Sequence, residues 1–198
     1  LKHRLTYQAP PEEWVQTGQS RETIQFGVHV KCNKVSNAPV DELPAEFETL
    51  LNQLSEMGVF TATQRPDSCC VNVYAEGSWI PPHVDSDAFD RPFCTVSLLS
   101  AQEVVFGDDI SGAAGEWAAG KGGLRLRMPV GSVLRVDGRA ANPCKHALPR
   151  ATSRRISLTF RRVSVATRAR FLAIHVASRE AAIARRARRL EAKMARGW

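Results

Sequence analysis

An all-β sandwich or barrel with flanking helices is the fold class this sequence predicts, and three observations carry it. From residue 68 onward, short runs of β-branched and aromatic residues recur between Gly, Pro and Asp turns. One segment of helical period precedes them, and an alanine- and arginine-rich tail follows.

Taken in order, residues 1 to 20 are polar, contain Pro10, Pro11 and Gly18, and read as an extended arm or loop. Arg21 to Val30 (RETIQFGVHV) reads as a short strand with Gly27 inside it, a place for a bulge or a close backbone approach. In DELPAEFETLLNQLSEMGVF the period changes. Phe47, Leu50, Leu51 and Leu54 lie at helical spacing, with Pro44 near the start and Gly58 at the end. The strands are SCCVNVY, PHVD, FCTVSLLS, EVVFG, LRLRMPV, GSVLRVDG, KHALP and RRISLTFRR. Between them, GDDISGAAGEWAAGKGG reads as a flexible surface loop, since it lacks the strand-then-helix context of a phosphate-cradling motif. From about Ala166 a basic helix is expected, with Ile183, Ala187, Leu190 and Met194 forming one apolar stripe. The divisions are an arm over 1–20, a body over 21–163 and a basic helical tail over 164–198.

A chain of 198 residues suits one domain with appendages. The net charge of +7 is confined to residues 163 to 198, which hold nine basic and two acidic residues. The basic balance therefore concerns the tail. Cys32, Cys69, Cys70, Cys94 and Cys144 are odd in number and show no CxxC spacing, which argues against a zinc knuckle or a disulfide framework. No run approaches the roughly 20 apolar residues of a membrane helix, and the N-terminus shows no secretory pattern. The expectation is an intracellular protein, nuclear or cytoplasmic, and a monomer without membrane contact.

The chemistry starts at His83-Val84-Asp85. On a strand, residues i and i+2 point to one face, so an imidazole and a carboxylate converge there. His146, in PCKHALP, is the downstream histidine in a strand setting. Two histidines and a carboxylate on one face of an iron leave positions open for a co-substrate and oxygen. Asn72 and Tyr74 also sit at i and i+2. In RRISLTFRR, Arg155, Ser157, Thr159 and Arg161 share one face and Ile156, Leu158 and Phe160 the other. Arginine facing into a barrel is costly unless an anion meets it, and a dicarboxylate held in a bidentate pair is such an anion. A solvated edge strand is the plainer alternative.

The ordered set of Asn72-x-Tyr74, His83-x-Asp85, His146 and Arg155 to Arg161 resembles the AlkB family of Fe(II)/2-oxoglutarate dioxygenases. NVYAEGSWIPPHVDSDAFDRPFCTVSLL, GSVLRVDG and RRISLTFRR are similar to its RNA N6-methyladenosine demethylase branch, plant-type members especially. The resemblance spans roughly Arg21 to Arg162. It implies a double-stranded β-helix (jelly roll) with a substrate lid formed by RETIQFG, and Fe(II), 2-oxoglutarate and molecular oxygen as cofactor and co-substrates. His83, Asp85 and His146 would ligate iron. Arg155, helped by the Tyr74 hydroxyl, would hold the distal carboxylate of 2-oxoglutarate, with Asn72 and Arg161 supporting it from the other side; Arg161 is about 20 Å from Arg155 along an ideal strand.

The implied activity is oxidative demethylation of N6-methyladenosine in single-stranded RNA. Repair of other alkylated bases, protein hydroxylation or demethylation, and a catalytically silent RNA-binding module are the alternatives. Phe26, Trp79 and Phe89 are candidates for stacking on the base, and the tail for contact with the phosphate backbone. Two positions depart from the branch: Val30 stands where related demethylases carry a tyrosine that contacts the co-substrate, and Thr23 matches a lysine in one animal relative.

Overall fold

Proline and glycine punctuate the N-terminal third. Helix α1 (Glu12–Gln16) starts after Pro11, whose fixed φ suits a helix start. The segment before it is tied to strand β1 (Glu22–Phe26): Gln8 bridges Thr23, and the Thr6 hydroxyl donates to the Gln25 carbonyl and accepts from the Gln25 amide. The arm read from composition is thus an ordered flank of the sheet. The strand expected over residues 21 to 30 breaks at Gly27, where φ is +77° and a Cβ would fall 2.1 Å from the Asp67 carbonyl oxygen. Only glycine fits there. A small hairpin follows, β2 (His29–Lys31) with β3 (Lys34–Ser36). The computed structural model describes residues 4–31, 34–36, 38–173, 180–181, 183–185 and 188.

Helix α2 (Ala45–Glu56) lies where the 3.6 period placed it, with Pro44 at its N-cap and Gly58 beyond its end at φ +76°. Then come β4 (Ser68–Tyr74) and β6 (Phe93–Leu98), both within the predicted runs, β7 (Gln102–Gly107), which starts one residue before its run, and between β4 and β6 the strand β5 (Ile80–His83), which lies two residues earlier than the predicted PHVD and ends at His83. The glycine-rich segment expected to be a loop instead forms a hairpin, β8 (Ile110–Ala113) with β9 (Glu116–Ala119). Its small residues conceal the alternation, and buried Trp117 anchors it on Trp79, Val105 and Ala147. The chain continues through β10 (Leu124–Met128), β11 (Val133–Val136), the one-turn helix α3 (Gly138–Ala141), β12 (Lys145–Leu148) and β13 (Arg155–Arg161).

Nine of these strands form two antiparallel sheets, ordered β1-β4-β13-β6-β11 and β10-β7-β12-β5. Face to face they make the jelly roll. Period-two alternation sorts their side chains. The outer face of the five-stranded sheet packs Ile24, Phe26, Val71, Val73, Leu158 and Phe160 against Leu51 and Leu54 of α2. Each of those two leucines is buried, which stabilises the fold by about 1.5–3 kcal/mol apiece. Between the sheets, Tyr74, Phe93, Val104, Phe106, Met128 and Val136 form a second cluster, and the inward polar residues lie beside it.

The chain divides into two compact units, Leu1–Val163 and Ser164–Trp198. In the second, residues 165–173 are helical, and the Ser164 hydroxyl caps the start by accepting from the Thr167 amide at 3.2 Å. Of the apolar stripe, Ile183 is 61% exposed; Ala187, Leu190 and Met194 lie outside the described residues. Among the described residues no helix is long and apolar enough to cross a membrane.

Candidate metal centre

Strands β5 and β12 set the two histidines opposite each other. His83 faces His146 and Ile80 faces Leu148, so three residues of β5 span two of β12, a β-bulge. Without the bulge, Ile80 and His83 would point to opposite faces; with it, both line the same cavity between the sheets. Pro81 and Pro82 occupy the irregular stretch, where missing amide donors do least harm. Asp85 lies beyond the end of β5, on the connection to β6. The i, i+2 relation on one strand, expected from the sequence, is therefore replaced by a strand end and a loop.

The three side chains nonetheless converge. One ligand atom from each of His83, Asp85 and His146 lies within 4.8 Å of the others, with His83 Nε2 3.6 Å and His146 Nε2 4.0 Å from Asp85 Oδ1. His83 Nδ1 is 2.9 Å from the Pro81 carbonyl oxygen. Donation to that oxygen fixes the tautomer and leaves the Nε2 lone pair for a metal. Two imidazoles and one carboxylate on one side of a point are a facial donor set for a divalent first-row metal.

The surroundings hold these groups in the forms a metal requires. Burial pushes the Asp85 carboxyl up, but Arg161, then His83 and His146, outweigh it and keep the carboxyl well below its usual range. Arg161 Nε lies 2.9 Å from Asp85 Oδ2 as an ion pair. Burial, with neighbouring cations, pushes the His146 imidazole down to about 3, which keeps it neutral. Arg91 secures the loop that carries Asp85: its guanidinium donates to the carbonyls of Asp85 (2.8 Å), Phe89 (2.9 Å) and Ser86 (3.2 Å).

Deeper between the sheets, Arg155 is 1% exposed, and its Nε and Nη1 have no hydrogen-bond partner among the described residues. Its Nη2 reaches Ser97 Oγ at 3.5 Å, and its guanidinium stands 5.1 Å over the Tyr74 ring. A buried guanidinium with free donors is costly unless an anion completes it. The cavity beside it is lined by His83, Asp85, His146, Asn72, Tyr74 and Arg161. Asn72 donates to the Cys70 carbonyl at 3.2 Å and accepts from Arg21 Nη1 at 3.2 Å.

A second cavity, a groove of about 410 Å³, opens onto His83 and Asp85 from the side of β1 and α1. Arg21, Ile80, His83, Asp85 and Arg161 line both spaces, so the groove leads to the metal ligands.

The seven residues expected to hold metal and co-substrate come together, although Arg161 meets Asp85. The three stacking candidates fare differently. Phe26 packs edge-on against Phe47 at 5.4 Å on the α2 side of the sheet. Its parity with Ile24, opposite to that of Thr23 and Gln25, turns it away from the groove. Phe89 is buried beneath the Arg161 guanidinium. Trp79 lines the groove but is 7% exposed, stands edge-on to Trp117 at 5.4 Å, and donates through Nε1 to the Thr17 carbonyl. Sequence reasoning missed Arg21, Arg91 and Trp14. The register of β1 against β4 places Arg21 near Asn72; nothing in the sequence distinguishes Arg91.

A jelly roll whose sheets enclose two histidines, a carboxylate and a buried, incomplete guanidinium defines a class: non-haem metal oxygenases that use an anionic co-substrate. Residues 4–161 match the 2OG-Fe(II) oxygenase superfamily, and the chain belongs to that family. It is similar to the RNA demethylase ALKBH9B of Arabidopsis thaliana, 39% identical over 178 residues, covering 85% of this chain and 34% of the relative. RNA demethylase ALKBH10B of the same plant is 26% identical over 155 residues, covering 74% and 27%. The chain thus spans about a third of the length of these curated relatives. Among solved structures, it is similar to an oxidoreductase of the 2OG-Fe(II) oxygenase family from Burkholderia pseudomallei (TM-score 0.45, 17% identity, 71% of this chain and 67% of that one). A Pseudomonas putida prolyl-4-hydroxylase also matches (TM-score 0.47, 12% identity, 79% and 78%). The family implies Fe(II), 2-oxoglutarate and oxygen, and the donor set His83, Asp85 and His146 fits the metal.

Proposed function

We propose that this domain removes N-methyl groups from single-stranded RNA, with N6-methyladenosine as its substrate. The observation that carries the reading is the continuity of three environments: the buried Arg155, the His83–Asp85–His146 face, and the groove that opens on that face. The RNA demethylase names of the two Arabidopsis relatives support the substrate class.

Iron and 2-oxoglutarate, when bound, supply the oxidising power: the co-substrate and oxygen become succinate and carbon dioxide, and the methyl carbon leaves as formaldehyde. His83, Asp85 and His146 hold the metal. Arg155 pairs with the distal carboxylate of the co-substrate, the anion its free donors lack, and the Tyr74 ring walls that pocket. Asn72 lies along the same cavity, while Arg161 keeps Asp85 ionised and oriented. The groove takes an unpaired nucleotide, which avoids the energy of extruding a base from a helix. The nine basic residues after 163 track phosphates and make affinity salt-dependent.

Mass spectrometry of a single-stranded RNA oligonucleotide carrying N6-methyladenosine, incubated with protein, Fe(II), 2-oxoglutarate and oxygen, tests the reading. Loss of one methyl with the parent protein and none with His83→Ala is the expected result. Succinate without methyl loss would place the substrate elsewhere, and no succinate would remove the oxygenase activity. Truncation after Val163 is expected to weaken RNA binding and flatten its salt dependence.

A further inference from the structure

We infer that Trp14 is the stacking surface for the nucleobase in the groove, and that Trp79, the tryptophan nearer the metal ligands in sequence, is the strut that holds Trp14 in place. The inference rests on the RNA reading above and names a recognition residue within it.

Helix α1 is unusual for what it lacks. It has five residues, none of them buried. A segment that contributes nothing to a core has little reason to be ordered, since fixing each residue's backbone costs roughly 1–2 kcal/mol. Yet its C-terminal end is firmly tied. The Trp14 carbonyl accepts from the Gln19 amide at 2.7 Å and from the Thr17 hydroxyl at 2.9 Å. The Thr17 carbonyl in turn accepts from Trp79 Nε1 at 3.1 Å. Gly18, at φ +91°, packs so closely on that indole that a Cβ would lie 2.9 Å from Trp79 Nε1. Trp79 itself is immobilised against Trp117. A chain of contacts thus runs from the outer face of the β7–β12 sheet, through two buried indoles, to the backbone of Trp14.

What this scaffold presents is one large aromatic side chain. Trp14 is 47% exposed, whereas Trp79 and Trp117 are each 7% exposed. It lines the same groove as His83 and Asp85, so a base reaching toward the metal ligands enters the cavity that Trp14 walls. Gln8, Gln19 and Arg21 add polar groups to the lining. An exposed indole carried on a tethered backbone, with hydrogen-bonding groups in the same lining, suits a planar heteroaromatic ring: the face gives affinity for any base, and the polar groups meet its edge.

The test uses the full chain loaded with Mn(II) and 2-oxoglutarate, so that binding is read without turnover, and a ten-nucleotide single-stranded RNA carrying one N6-methyladenine. Fluorescence anisotropy of labelled RNA gives affinity, and intrinsic tryptophan emission gives contact. The parent is expected to be quenched on binding. Trp14→Ala is expected to bind about 5- to 150-fold more weakly, the range for loss of one base–aromatic stack. Trp14→Phe is expected to keep its affinity within about threefold, since a ring remains, and to lose most of the quench. Trp14→Ala binding as tightly as the parent, or an undiminished quench in Trp14→Phe, would overturn the inference. Where the alanine variant melts early, the phenylalanine quench decides. If RNA demethylation is present in the parent and Trp14 proves indifferent, the inference alone falls; if the parent does not bind RNA, both fall.

Discussion

Arg161 Nε stands 2.9 Å from Asp85 Oδ2, and the same guanidinium lies 5.1 Å over the ring of Phe89. One cation therefore touches both the metal-binding carboxylate and the loop that carries it. Arg161 also lines the cavity beside Arg155, and its ion pair with Asp85 is positioned to orient that carboxylate.

Replacing Arg161 with Met is expected to lower Mn(II) or Fe(II) affinity by about 10- to 100-fold, the usual effect of removing a partner that orients a metal ligand. Calorimetric titration of the apo protein reads it. Unchanged affinity would show that the loop alone positions Asp85.

Arg155 should behave in the opposite way with respect to stability. Its guanidinium is buried with two donor nitrogens unmatched. Arg155→Met is expected to weaken 2-oxoglutarate binding by about 10- to 100-fold, the loss of a charge-assisted pair, with metal affinity intact. The same variant, without co-substrate, is expected to melt about 2–4 °C higher for each kcal/mol gained by removing a buried, uncompensated charge. A fall in both quantities would mean that Arg155 is already satisfied in the apo protein.

Arg91 donates to three carbonyls of the 85–89 loop. The planar fork can span them; an ammonium cannot. Arg91→Lys is therefore expected to fail as a rescue of Arg91→Ala, both releasing metal faster than the parent in a chelator-exchange experiment. Recovery with lysine would reduce the role of Arg91 to its charge.

Cys94 is fully buried in the α2-side core. Burial pushes its thiol up to about 12 from 9.0. Between pH 9 and 12 the unfolded chain releases this proton and the folded chain keeps it, so stability is complete below pH 9 and lost as pH rises, by about 1.4 kcal/mol per pH unit. Urea titrations of the parent and Cys94→Ala across that range should differ in slope by one proton. Parallel slopes would place the thiol in contact with solvent.

Much of the fold and most of the metal centre were legible because β-branched runs and strand parity act locally. Arg155, Ser157, Thr159 and Arg161 alternate with Ile156, Leu158 and Phe160, and that alternation alone separates pocket from core. The same parity puts Phe26 on the face of Ile24, in the core and away from the groove. Other features depend on contacts between distant segments. The β8–β9 hairpin is held by Trp117 against Trp79, which its small residues do not announce. The position of Asp85 depends on a bulge between β5 and β12 and on Arg91, and the role of Trp14 on a hydrogen bond made by Trp79.

Strand β13 is hydrogen-bonded on both sides, to β4 and to β6, and carries Arg155 at one end and Arg161 at the other. Amides in such a doubly paired strand exchange with solvent only when the whole fold opens. A slip of one residue would also drive both arginines into the leucines of α2 and lift Phe160 out of them. The Arg155 cavity and the Arg161–Asp85 pair thus share the lifetime of the folded state, and solvent deuterium should reach residues 156–160, paired on both sides, last of all.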